Sequence, residues 1–261
     1  MDAATLSLVA LAIAIVVSCT IRLHVGFLAI ALAWIVGVYV ADMSAREVMA
    51  GFPTRLFLTL AGVTLLFSQA QANGTLDLIA QKAVRLCRGN VGLMPIMFFA
   101  LSFVLSSIGP GSIASTALMA PMGMAVAGQV GIPAFWMAVM IGHGGNAAAL
   151  SPFAPAGIIV NGVMEGIGLG GHELANYLNN AMAHIVVVFS AYLLFGGWKL
   201  LSRRHDGALA VPSADGSGSA PPSEFGRNHW LTLGVIGVLL TAVVVLDVDV
   251  GLGAFACAVV L

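Results

Sequence analysis

Long, evenly apolar runs dominate the chain. Runs at 3–20, 24–41, 54–72, 180–200 and 229–246 lie near the length of about 20 apolar residues that an α-helix needs to cross a bilayer. One stretch differs. Residues 74–89 carry Asp77, Lys82, Arg85 and Arg88 on one side and Leu76, Ile79, Ala80, Ala83, Val84 and Leu86 on the other. That pattern predicts a short amphipathic helix lying on the membrane surface. Residues 91–107 and 112–128 are two apolar runs joined by Gly109-Pro110-Gly111. Residues 133–149 and 155–165 are two more, joined by NAAALSPFAP. Residues 202–228 are the extended hydrophilic stretch, and their SADGSGSAPPSE composition predicts a flexible linker.

Composition fixes the solvent. The 261 residues are 60% hydrophobic and 8% charged, against about 25% charged in a soluble domain, and mean hydropathy is +1.03. The expectation is an all-α integral membrane protein. A net charge of −1 with no basic stripe argues against nucleic acid. Cys19, Cys87 and Cys257 are scattered without metal-ligand spacing. Residues 1–19 end in a lipoprotein-like Val16-Val17-Ser18-Cys19. A signal peptide needs a positively charged start, whereas the early charge here is Asp2 and a second apolar run follows Arg22, so the segment reads as a retained span.

Charge then orients the chain. With the amphipathic helix and the linker in the cytoplasm, Arg22, Lys82, Arg85, Arg88, Lys199, Arg203, Arg204 and Arg227 fall inside. Arg46 and Arg55 fall outside, with Asp42, Glu47, Glu165, Glu173, Asp247 and Asp249. This positive-inside bias puts the N-terminus outside and 202–228 in the cytoplasm of a multi-pass protein of the inner (plasma) membrane. The bias is blind to whether 91–128 makes two full spans or a re-entrant hairpin, since both return to the same side. LHVGFLAIALAWIV (23–36) is echoed by VDVGLGAFACAVVL (248–261), in opposite orientation by the charge argument. An inverted-topology repeat produces such an echo, as does chance among alanine-rich segments. The run from Val250 is too short to cross, so the chain reads as one half of a protein about twice as long, ending near the start of its second repeat.

The two interruptions carry the candidate chemistry. Irregular backbone at membrane depth is tolerated only where protein or a water-filled cavity covers it. Pro110 removes a donor, and its flanking glycines disfavour helix. GHGGNAAALSPFAPAG (142–157) repeats the theme with Gly144, Gly145, Asn146, Ser151, Pro152 and Pro155. Either break alone reads equally as a kink, and Ala114, Ser115 and Ala117 equally as close helix packing. Together they favour a binding site near the midplane. There, half-helix N-termini suit a carboxylate or other anion, and freed carbonyls and hydroxyls suit a small cation. No Asp, Glu, Lys or Arg lies between Arg88 and Glu165, so an anion is held by dipoles and hydroxyls. His143, beside the second break, reads either as a packing residue or as a carrier of a coupled proton. His184 reads as interfacial. Enzyme motifs fail: His172-Glu173 lacks the second His of H-E-x-x-H, GPGSIAS is not G-x-S-x-G, and there is no P-loop. Asn73-Gly74-Thr75 reads as a helix-ending turn rather than a glycosylation site.

FPTRLFLTLAGVTLLFSQAQANGTLDLIA (52–80), SSIGPGSIASTALMAP (106–121) and GHGGNAAALSPFAPAGIIVN (142–161) resemble the ion transporter superfamily, and within it the N-terminal part of the MatC-type dicarboxylate (malonate) carriers. The resemblance implies a re-entrant helical hairpin followed by a broken transmembrane helix, duplicated with inverted topology, and a homodimer. It also implies a hairpin-tip tripeptide, Ser-Asn-Thr in related sodium symporters, that touches both cation and carboxylate. Its equivalent here is Gly111-Ser112-Ile113, with Ser115 and Thr116 following. Ser107 stands where the family places a cation ligand, and Gly145 and Asn146 stand in its glycine-bearing loop.

The expectation is a secondary active transporter for small dicarboxylates such as malonate or succinate. It needs no cofactor beyond a coupling Na⁺ or H⁺, and its partners are the anion and the lipid bilayer. Residues 1–201 form the first repeat (spans 3–20, 24–41 and 54–72, surface helix 74–89, hairpin 91–128, broken helix 133–165, span 180–200), 202–228 the linker, and 229–261 the start of the second repeat. Ser112, Ser115, Thr116, Asn146 and Ser151 meet the anion, and Ser107, Gly111, Ser112 and Gly145 the cation. His143 is the candidate proton carrier. Rival readings are the membrane subunit of a binding-protein-dependent anion uptake system, an arsenite or Na⁺/H⁺ exchanger, and a non-transporting membrane interaction protein.

Overall fold

A computed structural model describes residues 3–21, 23–205, 207, 209, 224–246 and 248–261. Most of the expected linker, with Asp2, Arg22 and Asp247, lies outside the described residues. The chain divides into two units, residues 1–54 and 55–261.

In the first unit α1 (Ala3–Thr20) and α2 (Val25–Tyr39) form a helical hairpin, and a short α3 (Ala45–Ala50) folds back against α2. The fold-back needs Gly37, where a Cβ would sit 2.5 Å from a Val48 methyl. The sequence reading left α3 as loop. Its signal is local: Ser44 and Glu47 form a capping box, each side chain bonding the other's backbone N–H.

The second unit runs α4 (Thr54–Ala72), α5 (Thr75–Leu86), α6 (Leu93–Ile108), α7 (Gly111–Val130), α8 (Ala134–Ala147), α9 (Pro155–Gly166), α10 (Glu173–Leu194), α11 (Gly197–Leu201), α12 (Arg227–Leu246) and α13 (Val250–Val260). Every element named among the described residues is a helix, apart from one isolated bridge, Asn90 to Arg204. Two helices, α7 and α10, have both the length and the apolarity to cross a membrane, while α2, α6 and α13 are shorter apolar helices. The helices α1, α4 and α12, of 18, 19 and 20 residues, lie on the apolar runs read at 3–20, 54–72 and 229–246.

The core lies among α6, α7, α8 and α10. Phe98, Met119, Met122, Met137, Met140, Ile141 and Tyr192 are fully buried there. Glycine lets the backbones meet: a Cβ on Gly144 would collide with the Phe99 carbonyl, and one on Gly123 would meet Ile141 and Met137. At one end of this bundle the chain is tied off. Val91 N–H donates to the Arg203 carbonyl and the Asn90 amide to the Leu201 carbonyl. The Tyr192 hydroxyl donates to the Gly92 carbonyl. The Arg203 guanidinium reaches the Val130 and Gly131 carbonyls, where a cation suits the C-terminus of α7. The start of α6 and the end of α7 are thus anchored together, and their connection, Gly109-Pro110, is the opposite tip.

The α5 helix differs from the surface helix expected at 74–89. It buries Leu76, Leu78, Ala80 and Val84 together with Asp77, while Leu86 is exposed. Asn73-Gly74-Thr75 is the turn that separates it from α4. Gly74 takes φ +75°, and the Asn73 side chain accepts from the Thr75 N–H and hydroxyl. Two buried residues of α12 close this corner: Thr232 accepts the Asn73 amide and His229 bonds the Asn73 carbonyl.

Candidate functional site

The hairpin tip and the second break come together. Gly111 opens α7 at φ +76°, a left-handed conformation that glycine adopts freely, and a Cβ there would stand 2.8 Å from the Pro155 ring at the first turn of α9. On the other side of the break, Gly145 packs into the tip. A Cβ on it would lie 2.8 Å from the Thr116 hydroxyl, 3.1 Å from the Ser112 carbonyl oxygen and 3.2 Å from the Ser115 hydroxyl. The N-termini of α7 and α9 therefore lie close to the C-terminal turn of α8.

Two hydroxyls staple the two breaks, and a third ties the hairpin to α10. The buried Ser106 hydroxyl donates to the Gly145 carbonyl at 2.8 Å. The Ser151 hydroxyl donates to the Ser107 carbonyl at 2.7 Å and accepts the Phe153 N–H. Ser107 donates to the Phe103 carbonyl and pairs with the Tyr177 hydroxyl at 2.9 Å.

The break is narrower than the sequence pattern. Gly144, Gly145 and Asn146 are helical, in the last turn of α8, and the non-helical stretch is 148–154. Pro155 at the first turn of α9 restarts the helix, where its missing N–H costs nothing. The Asn146 side chain is exposed and donates to the Gly142 carbonyl. Ser115 is buried and donates to the Ser112 carbonyl at 3.2 Å. Ser112 and Thr116 are half-buried, and among the described residues neither hydroxyl makes a hydrogen bond. Ser112, Ser115 and Thr116 thus sit around Gly145, and Asn146 follows it in the last turn of α8. Ser151 and Ser107 adjoin it with their hydroxyls committed to protein partners, so they hold the site's shape rather than face its interior.

The sequence reading missed the contribution of α10. Its first two turns read as loop because Glu173, Asn176, Asn179 and Asn180 interrupt the apolar run, yet the helix starts at Glu173. Tyr177, Asn180 and His184 recur at helical spacing on one face. Tyr177 reaches Ser107 and stacks on Phe103. The Asn180 amide donates to the Asn146 and Ala147 carbonyls at 2.8 and 3.0 Å, capping the end of α8. His184 has a partner in α8, since its Nδ1 lies 3.0 Å from Nδ1 of His143. The signal was present as a polar 177/180/184 stripe inside an apolar segment.

An apolar, all-helical bundle in which a helix is interrupted at 148–154 has the make-up of a helical membrane protein. Residues 1–149 match the family model described as the dicarboxylate carrier protein MatC N-terminus, and the chain belongs to that family. It is therefore a membrane carrier. The matched region holds the hairpin and all of α8; Ser151, α10 and the final two helices lie beyond it. No curated protein and no solved structure matches the chain.

Proposed function

We propose that the protein moves small dicarboxylates of the malonate and succinate type across the inner membrane by secondary active transport coupled to a small cation, Na⁺ or H⁺. The observation that carries this reading is the meeting of hairpin tip and helix break at Gly111–Pro155 and Gly145–Thr116. Ser112, Ser115, Thr116 and Asn146 meet one carboxylate, helped by the N-termini of α7 and α9. Oxygens at Gly111, Ser112 and Gly145 suit a hard cation, and Ser107, bonded to Phe103, Tyr177 and Ser151, holds the shape beside them. Ser151, Ser106, Tyr177 and Asn180 keep the two breaks in register. His143, bonded to His184, is the side chain that would serve proton coupling instead.

Helix length supports the broken helix: at 1.5 Å per residue α8 and α9 rise about 21 and 18 Å, each less than a hydrocarbon core of about 30 Å. What supports an inverted repeat is a constant offset of 225 residues between Val25 and Val250. It carries Ala3–Thr20 onto 228–245, beside the observed α12 at Arg227–Leu246. The capped starts correspond as well: His24 accepts from the Gly26 N–H and Asp249 from the Gly251 N–H. Residues 229–261 then open a second repeat, with 1–201 as the first and 202–228 as a cytoplasmic linker. By the same reading the N-terminus is outside and the carrier is a homodimer.

The test is uptake of radiolabelled malonate and succinate into proteoliposomes holding the native protein, with a sodium or a pH gradient imposed in turn. Gradient-driven accumulation of at least one diacid, unaffected by excess acetate, is expected. Accumulation of neither under either gradient contradicts the proposal.

A further inference from the structure

The bundle of α6, α7, α8 and α10 holds one pair of imidazoles. His143 on α8 and His184 on α10 are both half-buried, their Nδ1 atoms lie 3.0 Å apart, and their ring planes cross at 64°. The pair is electrostatically isolated. From 93 to 147, which covers α6, α7 and α8, His143 is the only titratable side chain. On α10 the other titratable groups are Glu173, Tyr177 and Tyr192. Glu173 accepts the Gly171 N–H at the start of the helix, about 16 Å from His184 at 1.5 Å per residue. Tyr177 pairs with Ser107, and Tyr192 donates to the Gly92 carbonyl at the hairpin base. Of the helices packed on α10, α9 carries Glu165, which lies against Gly170 ahead of α10, and α11 carries Lys199 beyond its far end. Among the described residues neither imidazole has an anionic partner.

The contact between the rings limits how many protons they hold. A hydrogen bond between two Nδ1 atoms needs one of them protonated and the other bare. In the neutral pair the donor ring therefore has a bare Nε2, and the acceptor ring an Nε2–H. One further proton, placed on the bare Nε2, leaves the contact intact and makes it a charge-assisted hydrogen bond. A second would fill the accepting Nδ1, break the bond and set two like charges side by side. The pair thus suits the uptake of a single proton. Its place in the fold links that proton to the anion. His143 is one turn before Asn146, and His184 is one turn after Asn180, whose amide holds the Asn146 and Ala147 carbonyls. A lone positive charge in an apolar bundle is costly, and so is a dianion at a tip that offers only hydroxyls, an amide and backbone. Bound together the two charges offset one another, so each raises the affinity for the other by the same factor. We propose that His143 and His184 form the coupling-ion site and take up one proton with each dicarboxylate, an inference that rests on the dicarboxylate reading above. The cation that drives transport is then H⁺ and not Na⁺.

The experiment is calorimetric titration of the full native protein, purified in detergent, with malonate. Sodium-free buffers of differing ionisation enthalpy count the protons taken up on binding. At about pH 7.5 both carboxyls of malonate are ionised, so a proton taken up belongs to the protein. The expected result is about one proton for each malonate bound, with affinity falling about tenfold per unit of rising pH where that full proton is taken up. Malonate bound by His143→Gln or His184→Gln should bring a proton count near zero and an affinity independent of pH. Binding to the native protein without proton uptake, or only once sodium is added, would overturn the inference and leave the dicarboxylate reading standing, whatever the variants do. Proton uptake by both variants equal to that of the native protein would overturn it too, by placing the proton elsewhere. Binding of neither malonate nor succinate, with or without sodium, would remove both readings.

Discussion

The Ser106 hydroxyl, buried in the first arm of the hairpin, donates to the carbonyl of Gly145 in the last turn of α8 at 2.8 Å. One hydrogen bond thereby fixes the distance between two interrupted segments 39 residues apart in sequence. Replacing Ser106 by Ala leaves the buried Gly145 carbonyl without that partner, a loss of about 1–3 kcal/mol. Thermal unfolding of the detergent-purified protein should show a lowered midpoint. An unchanged midpoint would mean that the contact contributes nothing.

Gly145 packs against the tip. In Gly145→Ala the new methyl meets the Thr116 hydroxyl at 2.8 Å and the Ser112 carbonyl at 3.1 Å, so the Thr116 side chain must turn and the tip backbone must give by a few tenths of an ångström. Overpacking of this kind costs about 1–3 kcal/mol. Transport should fall sharply while membrane expression persists. Gly162→Ala, where no atom lies within 4 Å of the added carbon, is the control that should transport normally.

Asn180 caps α8 from α10 with two hydrogen bonds. At about 0.6 kcal/mol for each interhelical hydrogen bond in a membrane, Asn180→Ala should cost roughly 1 kcal/mol. Hydrogen exchange should then rise at residues 146–149 while the hairpin base at 89–93 stays protected. Equal loosening at both places would contradict a capping role.

Glu47, in the first turn of α3, titrates below its ordinary value of 4.5 because the Ser44 backbone N–H and hydroxyl bond its carboxylate. A depressed folded-state pKa stabilises the helix above pH 4.5 and loses that contribution as the pH falls through the lowered value. Exchange at residues 45–50 should therefore increase on acidification into that range. Glu47→Gln should remove the dependence and Ser44→Ala weaken it.

Much of the architecture was legible because its causes are local. Apolar runs, Pro110, Pro155 and the glycines mark where helices form and stop. Ser112, Thr116 and Asn146 stood out because hydroxyls and an amide beside such stops have few structural uses. The parts that were not legible depend on tertiary partners. Asp77 reads as a surface charge and is buried, and His184 reads as interfacial and pairs with His143, 41 residues away. Ser151 reads as a ligand and is spent on the Ser107 carbonyl. Polar residues at the start of α10 disguised a helix as a loop, since composition alone does not separate an amide that faces water from one that caps a neighbouring helix.

The central claim is that the hairpin tip and the helix break form one dicarboxylate site. Its most direct test is the initial rate of radiolabelled malonate uptake by cells producing the native protein, Ser112→Ala, Asn146→Ala and the double variant, at matched surface abundance. Each single change should cut uptake by about tenfold or more, the equivalent of one lost charge-assisted contact, and the double variant should lie at background. Uptake by the double variant equal to that of the native protein would contradict the claim.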